Sequence, residues 1–341
     1  MSEYTAARVA HGGNLHEAAQ RYGIAWDAWI DLSTGINPHG YPVPPVPPAA
    51  WRRLPDDGDG FAACAARYYG APDARHVLPV AGSQAAIRAL PAVLPRASVA
   101  IAPLTYGEYA PAFARAGHEI VPLDVMQDTL PDTVTHAVVV NPNNPTATHL
   151  AAGRLLFWHA QLAARGGTLI VDEAFADAFG HERPATLAHA TSREGLVVLR
   201  SPGKFFGLAG ARCGFALGTP ARLAGLRAHL GAWTVNGPAR HAVTHAFEDS
   251  TWQSEMHVRL AAESARLAAL LRVHGFTPHA TPLFAWITDP RAPALQDALA
   301  RHAVWTRRFD APASLRFGLP ASEDEWQRFE SALGQAMRAI G

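Results

Sequence analysis

The feature that most constrains this chain is a succession of short runs, apolar at every position, alternating with segments of helical character. AVVV within His136–Asn141, TLIV over Thr168–Val171 and LVVL within Leu196–Arg200 leave no polar face. A strand that is apolar on both sides needs cover on both, which is the situation of a parallel sheet between helical layers. Further strand-like runs are His76–Ala81, Ser98–Ala102, His118–Leu123 and Gly214–Leu217, with helices expected near Phe61–Tyr69, Gln84–Leu94, Tyr109–Ala116 and Leu150–Arg165. The pattern predicts an α/β fold, with a large domain over 45–225 whose mostly parallel seven-stranded sheet is covered by helices.

Residues 226–341 read as a smaller α+β domain, beyond a helix over Ala221–Leu230. They comprise a helix over Pro238–Val273, a strand at Leu283–Ile287, a helix at Ala294–His302, strand pieces at Val304–Phe309 and Ser314–Gly318, and a final helix, Glu323–Ile340. Residues 1–44 form an arm with a helix at Leu15–Tyr22. The run PHGYPVPPVPP is too proline-rich for helix and is expected as an extended strap.

Among 29 basic side chains all are arginine except one, Lys204. Arginine replaces lysine on a surface at little cost. It cannot replace a lysine whose amine must lose its proton and attack a carbonyl. The lone lysine is therefore a candidate for amine chemistry, and its neighbours decide between that reading and chance survival. The 29 acidic groups balance the charge, which argues against a nucleic-acid-binding surface. Met1–Asn14 holds no apolar run and no stretch is long enough to span a membrane, so a cytoplasmic protein is expected. Cys64 and Cys213 are too few for a disulfide framework.

In an open parallel sheet, ligands sit beyond the carboxyl ends of the strands. Those ends carry Gly82, Ser83 and Gln84, opening a helix; Thr105 and Tyr106; the loop NPNNPT with Asn144; Asp172 and Glu173; then Ser201, Lys204 and, eight residues on, Arg212. A glycine-serine helix start favours a phosphate, to which Ser201 and Arg212 could add a hydroxyl and a guanidinium. Asp172, ending a buried strand, needs a cationic or hydrogen-bonding partner. Each feature alone has a bland explanation: a helix cap, an ion pair, a solvated lysine. Together they match the needs of pyridoxal phosphate, with Lys204 as Schiff-base former, Asp172 on the ring nitrogen, Asn144 on the ring hydroxyl and Tyr106 over the ring face.

At this point the motifs AGSQ, PLTYGEY, NPNNPT, VDEAF, SPGKFFGLAGARCG and LRFGLP resemble fold-type I pyridoxal-phosphate enzymes, the aspartate-aminotransferase-like superfamily, across nearly the whole chain. HGGN at His11–Asn14 and DLSTGINPHG at Asp31–Gly40 resemble the branch of threonine-phosphate decarboxylases of the cobalamin pathway, which is close to histidinol-phosphate aminotransferase. The resemblance implies a homodimer with active sites at the dimer and domain interfaces, and a phosphorylated amino acid, L-threonine O-3-phosphate, as substrate. It implies catalytic roles for Lys204, Asp172 and Tyr106. It assigns Gly82, Ser83, Asn144, Ser201 and Arg212 to the cofactor, with Gln84 added from the helix start, Arg316 to the substrate carboxylate, and His11 and Asn37 to segments closing over the substrate. Two positions depart from the superfamily: Phe175 replaces a tyrosine that touches the ring, and Leu54 one that reaches the partner subunit's cofactor phosphate.

Arg307, Arg308 and Arg316 cluster in the smaller domain and could hold two substrate anions. Strand alternation lets one of the adjacent pair point inward, and Arg308 is expected to be that one. No metal is expected, since His241 and His245, four apart, lack the glutamate of a metalloprotease helix. The motifs identify the cofactor without fixing which bond breaks. The alternatives to the decarboxylase are an aminotransferase of the histidinol-phosphate type and a non-catalytic subunit that retains the fold.

Overall fold

The computed structural model describes residues 11–182 and 186–341; the first ten residues of the expected arm lie outside them. Twelve strands are present among the described residues: β1 Ile30–Leu32, β2 Val77–Val80, β3 Ser98–Ile101, β4 Glu119–Pro122, β5 His136–Val140, β6 Thr168–Asp172, β7 Leu196–Arg200, β8 Gly214–Leu217, β9 His279–Thr281, β10 Phe284–Thr288, β11 Val304–Asp310 and β12 Ala313–Phe317. The chain divides into two compact units, one of residues 36–266 and 279–283, the other of the preceding arm with 267–278 and 284–341.

The larger unit holds a seven-stranded sheet in the order β2-β8-β7-β6-β5-β3-β4. Every pair is parallel except those made by β8, which runs against both β2 and β7. All five residues of β5, β6 and β7 are buried, as their unbroken apolar character requires. The two edges carry Pro79 and Pro122, where a missing ladder donor costs least. Helices Ser83–Val93 and Tyr109–Arg115 bury Ile87, Leu90 and Phe113 in one core with Val99, Ile101, Val138, Ile170 and Leu199. The seven expected strands are all present, within one or two residues of their expected ends.

The smaller unit is built on β1-β11-β12-β10, with β1 parallel to β11 and the other pairs antiparallel. Helices Ala292–Arg301 and Glu323–Ile340 bury Leu295, Leu299, Trp326, Phe329 and Leu333. The final helix starts where Ser322 accepts the N–H of Glu325 while the Glu325 carboxylate accepts that of Ala321, a capping arrangement.

One expectation is corrected. The helix expected over 238–273 is two, Gly237–Glu248 and Ser250–Val273, because the Asp249 carboxylate accepts the N–H of Trp252 and caps the second. Residues 226–266, expected in the smaller domain, cluster with the larger unit. There Phe247 stacks on Tyr68 at 4.2 Å and meets Tyr69 and Phe215. Cys64 and Cys213 are buried free thiols. Among the described residues no helix is long and apolar enough to cross a membrane.

Candidate active site

Asp172 is the last residue of β6 and 3% exposed. Tyr109, fully buried at the start of its helix, donates its hydroxyl to Oδ2 at 2.8 Å, and the N–H of Ala174 donates to Oδ1 at 3.0 Å. Burial pushes the Asp172 carboxyl above the ordinary carboxylate range, against the opposing pull of these two donors and of Lys204. A cation placed at Asp172 would relieve that cost. Tyr109 was missed in the sequence, where it reads only as an apolar-periodic helix residue.

Lys204 lies on the short helix Pro202–Phe205 that follows β7, half-buried, with Nζ 5.7 Å from the centre of the Phe175 ring. The departure at Phe175 thus puts an aromatic face, rather than a hydroxyl, beside the amine. The loop is braced by the strap. Asn37 donates its backbone N–H to Lys204 O at 3.0 Å and its amide to Phe205 O at 2.7 Å, and Tyr41 N–H donates to Phe206 O at 2.8 Å. The Asn37 amide, expected near substrate, is therefore engaged with the backbone of the lysine loop.

Gly82 has φ +74°, and a Cβ there would lie 2.9 Å from Arg212 Nη2. Only glycine lets that guanidinium lie over the helix start. A Cβ on Gly214 would meet the Ser83 nitrogen at 2.4 Å. The N–H groups opening helix Ser83–Val93 and the Arg212 guanidinium thus form one small cradle suited to an anion. Gln84, expected in it from its place at the helix start, turns its side chain elsewhere. Its oxygen accepts the Tyr106 hydroxyl at 3.0 Å and its nitrogen donates to the buried Glu108 at 2.7 Å. That places Gln84 as the holder of Tyr106, whose own hydroxyl is pushed up to about 12 by burial, Glu108 and Asp172.

In the NPNNPT loop the asparagines divide. Asn141 exchanges two hydrogen bonds with the backbone of Leu150, and Asn143 is held among Thr105, Leu104 and Thr146. Asn144, half-buried, follows them. Ser201, nearly buried, precedes the lysine helix without capping it by its side chain.

The smaller unit carries the remaining candidates. Arg316 on β12 is buried, donates to Ser33 O at 2.6 Å and lies over the Phe284 ring. Its register partner on β11 is Arg307, whereas Arg308 faces Leu315. The register thus puts Arg307, rather than the expected Arg308, on the same sheet face as Arg316. Arg308 instead pairs with Asp310 at 3.1 Å. Burial and then Arg307 lower the Arg316 guanidinium to about 10, with Asp31 pulling the other way. His11 is exposed. Beside it a Cβ on Gly12 would sit 2.2 Å from Ser33 O, and Gly13 N–H donates to the Ser33 hydroxyl at 2.7 Å. HGGN and DLST therefore pack directly against each other.

A buried carboxylate raised by desolvation, an amine close enough to act on it and a glycine-floored anion cradle fit a phosphorylated pyridine aldehyde. The sequence model of the family described as "Aminotransferase class I and II" matches residues 55–331. The chain belongs to that family. Within this family it is 49% identical to the threonine-phosphate decarboxylase of Pseudomonas aeruginosa, over 95% of this chain and 97% of that protein. It is 41% identical to the protein of the same designation from Sinorhizobium sp, over 96% and 98%. Its fold matches the crystal structure of histidinol-phosphate aminotransferase from Sinorhizobium meliloti in complex with pyridoxal-5'-phosphate, with a TM-score of 0.84, 17% identity, and coverage of 100% of this chain and 99% of that one.

Proposed function

We propose that this protein is a pyridoxal-phosphate-dependent lyase that removes CO2 from L-threonine O-3-phosphate to give (R)-1-aminopropan-2-yl phosphate, a step of cobalamin biosynthesis. The observation that carries the reading is the single lysine of the chain, close enough to the buried Asp172 to act on its carboxyl. Likeness to two threonine-phosphate decarboxylases over nearly their whole length supports the reaction. When bound, the cofactor supplies an electron sink for the pair left at the α-carbon. The residues that would hold it are Lys204 through its amine, Asp172 at the ring nitrogen, Tyr106 over the ring, Asn144 at the ring hydroxyl, and Gly82, Ser83, Ser201 and Arg212 at the phosphate.

The protein chooses the bond. A decarboxylase holds the carboxylate perpendicular to the conjugated plane, whereas an aminotransferase holds the hydrogen there. Lys204 Nζ then delivers the proton that replaces CO2 at the α-carbon. Arg316 takes the carboxylate. Arg307 takes the substrate phosphate, because two arginines on one sheet face repel each other until a dianionic ligand binds between them. His11 closes over the substrate, and Asn37 acts through the lysine loop it braces. The same reading makes the protein a cytoplasmic homodimer, for which the exposed Trp51, Leu54 and Trp233 supply apolar surface.

The test is incubation of the cofactor-loaded protein with L-threonine O-3-phosphate in the absence of any keto acid. Release of CO2 is expected; product formed only when a keto acid is added would replace this reading by an aminotransferase. The visible absorbance of the wild type should vanish in Lys204→Ala.

A further inference from the structure

Glu173, the residue after Asp172, and Arg200, the last of β7, are buried together with Asp177. Arg200 Nη1 lies 2.5 Å from Glu173 Oε2, and Nη2 bonds Asp177. The Arg200 guanidinium lies 4.5 Å above the Tyr69 ring. Burial alone would depress its proton affinity, but Asp177 and Glu173 override this and raise it. The second Glu173 oxygen accepts Leu187 N–H at 2.8 Å, and Thr186 donates its hydroxyl to the first. Among the described residues the cluster therefore holds two carboxylates against one guanidinium.

Such a group is poorly explained by stability, since well-packed apolar residues of the same volume do as well or better. Its location suggests another use. Glu173 N–H donates to Leu199 O, so the cluster ties the end of β6 to the end of β7. Asp172 lies one residue from Glu173, and Lys204 four residues beyond Arg200. On its far side the Asp177 carbonyl accepts His257 Nε2–H at 2.8 Å, and the His257 ring stacks on Phe205, next to Lys204, at 4.4 Å and 12°. Contacts thus leave Asp172 through Glu173 and return to Lys204 through Phe205.

We propose that Arg200, Glu173 and Asp177 are positioning residues that fix the separation of the Asp172 carboxylate and the Lys204 amine, and that their surplus negative charge raises the proton affinity of the nitrogen at Lys204. Among the described residues the other titratable groups facing the cluster are Tyr68 and Tyr69, whose fields act on Arg200, and His149, which feels Glu173. Tyr109 faces Asp172, to which it donates its hydroxyl. The inference rests on the assignment of Lys204 and Asp172 to the cofactor.

The test compares cofactor-loaded wild type with Glu173→Gln. It follows the pH at which the visible band converts, the affinity of the apo protein for pyridoxal phosphate by fluorescence, and the far-ultraviolet circular dichroism. Removing one buried negative charge should move the spectral transition down by about half a pH unit or more and weaken cofactor binding several-fold, with secondary structure intact. Glu173→Asp, which keeps the charge, should return the transition toward the wild-type value. If Glu173→Gln does not fold, Asp177→Asn removes the other charge, and the same downward movement is expected. An unmoved transition and unchanged affinity overturn the proposal, even where thermal stability falls. Lys204→Ala separates the two levels: a visible band that persists there sinks the lysine assignment, whereas a silent Glu173→Gln sinks only the positioning role.

Discussion

Tyr109 shows what one hydroxyl contributes to this site. Its hydrogen bond to Asp172 is one of two that the carboxylate receives from the protein, and a bond to a charged group is worth about 1.5–3 kcal/mol. In Tyr109→Phe the carboxylate loses that donor, its proton affinity rises further, and it becomes a poorer partner for a protonated ring nitrogen. Cofactor affinity should fall by about tenfold or more, measured by titrating apo protein with pyridoxal phosphate. The arginine pair gives a second prediction. Arg307→Ala should lower kcat/KM for the phosphorylated substrate by about 10- to 100-fold, the loss of one charge-assisted bond, while Arg308→Ala should stay within about threefold, since its partner is the exposed Asp310. Equal losses would reject the register argument. These two residues also mark where the sequence stops being legible. Lys204, Asp172 and Asn144 stand out because their chemistry is unusual at a strand end. Tyr109 does not, because its function comes from a carboxylate 63 residues away. Alternation sets Arg307 and Arg308 on opposite faces of β11, but only the pairing with β12 puts Arg307 on the face of Arg316.

The strap and the lysine loop make an element-scale argument. Gly207 has φ +64°, and a Cβ there would lie 2.6 Å from Gly40 Cα and 2.8 Å from Asn37 O. A Cβ on Gly40 itself would meet nothing closer than Gly207 O at 3.5 Å. Gly207→Ala should therefore cost about 1–3 kcal/mol and loosen cofactor binding by shifting the lysine loop, whereas Gly40→Ala should cost less than about 1 kcal/mol. Urea denaturation of both apo variants reads the difference; equal midpoints would mean that the strap is not seated on the loop. The strap's extended course was readable from its prolines. Its docking partner was not, because backbone-to-backbone approach leaves little trace in side-chain pattern. Length set a similar limit elsewhere: β1 and β9 have three residues each, too few for a period to register, while the single capping carboxylate of Asp249 divided what periodicity read as one helix.

At the scale of the whole molecule, His136, folded into the larger sheet, contributes to the loss of stability in mild acid. His136 Nδ1 accepts Thr168 N–H at 3.0 Å and its Nε2 donates to Pro95 O at 3.0 Å, which fixes a neutral ring. Burial, only partly opposed by the Pro95 bond, lowers its pKa from the ordinary 6.5. The unfolded chain therefore binds this proton at a pH where the folded protein does not. Stability from His136 is fully present above about pH 7 and is lost as pH falls through the unfolded value, with a slope of at most about 1.4 kcal/mol per unit for one proton. Asp172 has the opposite sign: raised by burial, it binds its proton more readily in the folded protein, so acidification relieves its cost. Urea unfolding of the apo protein between about pH 7.5 and 5.5 should show a declining free energy. His136→Gln, lower in stability throughout for its altered hydrogen bonds, should show a flatter decline, because the titrating group is gone while Asp172 remains. Parallel slopes for the two proteins would mean that the acid sensitivity arises elsewhere. Saturating pyridoxal phosphate should lift both curves by mass action and leave their difference in slope in place, since β5 enters the site through the loop that follows it and His136 lies at the strand's opposite end.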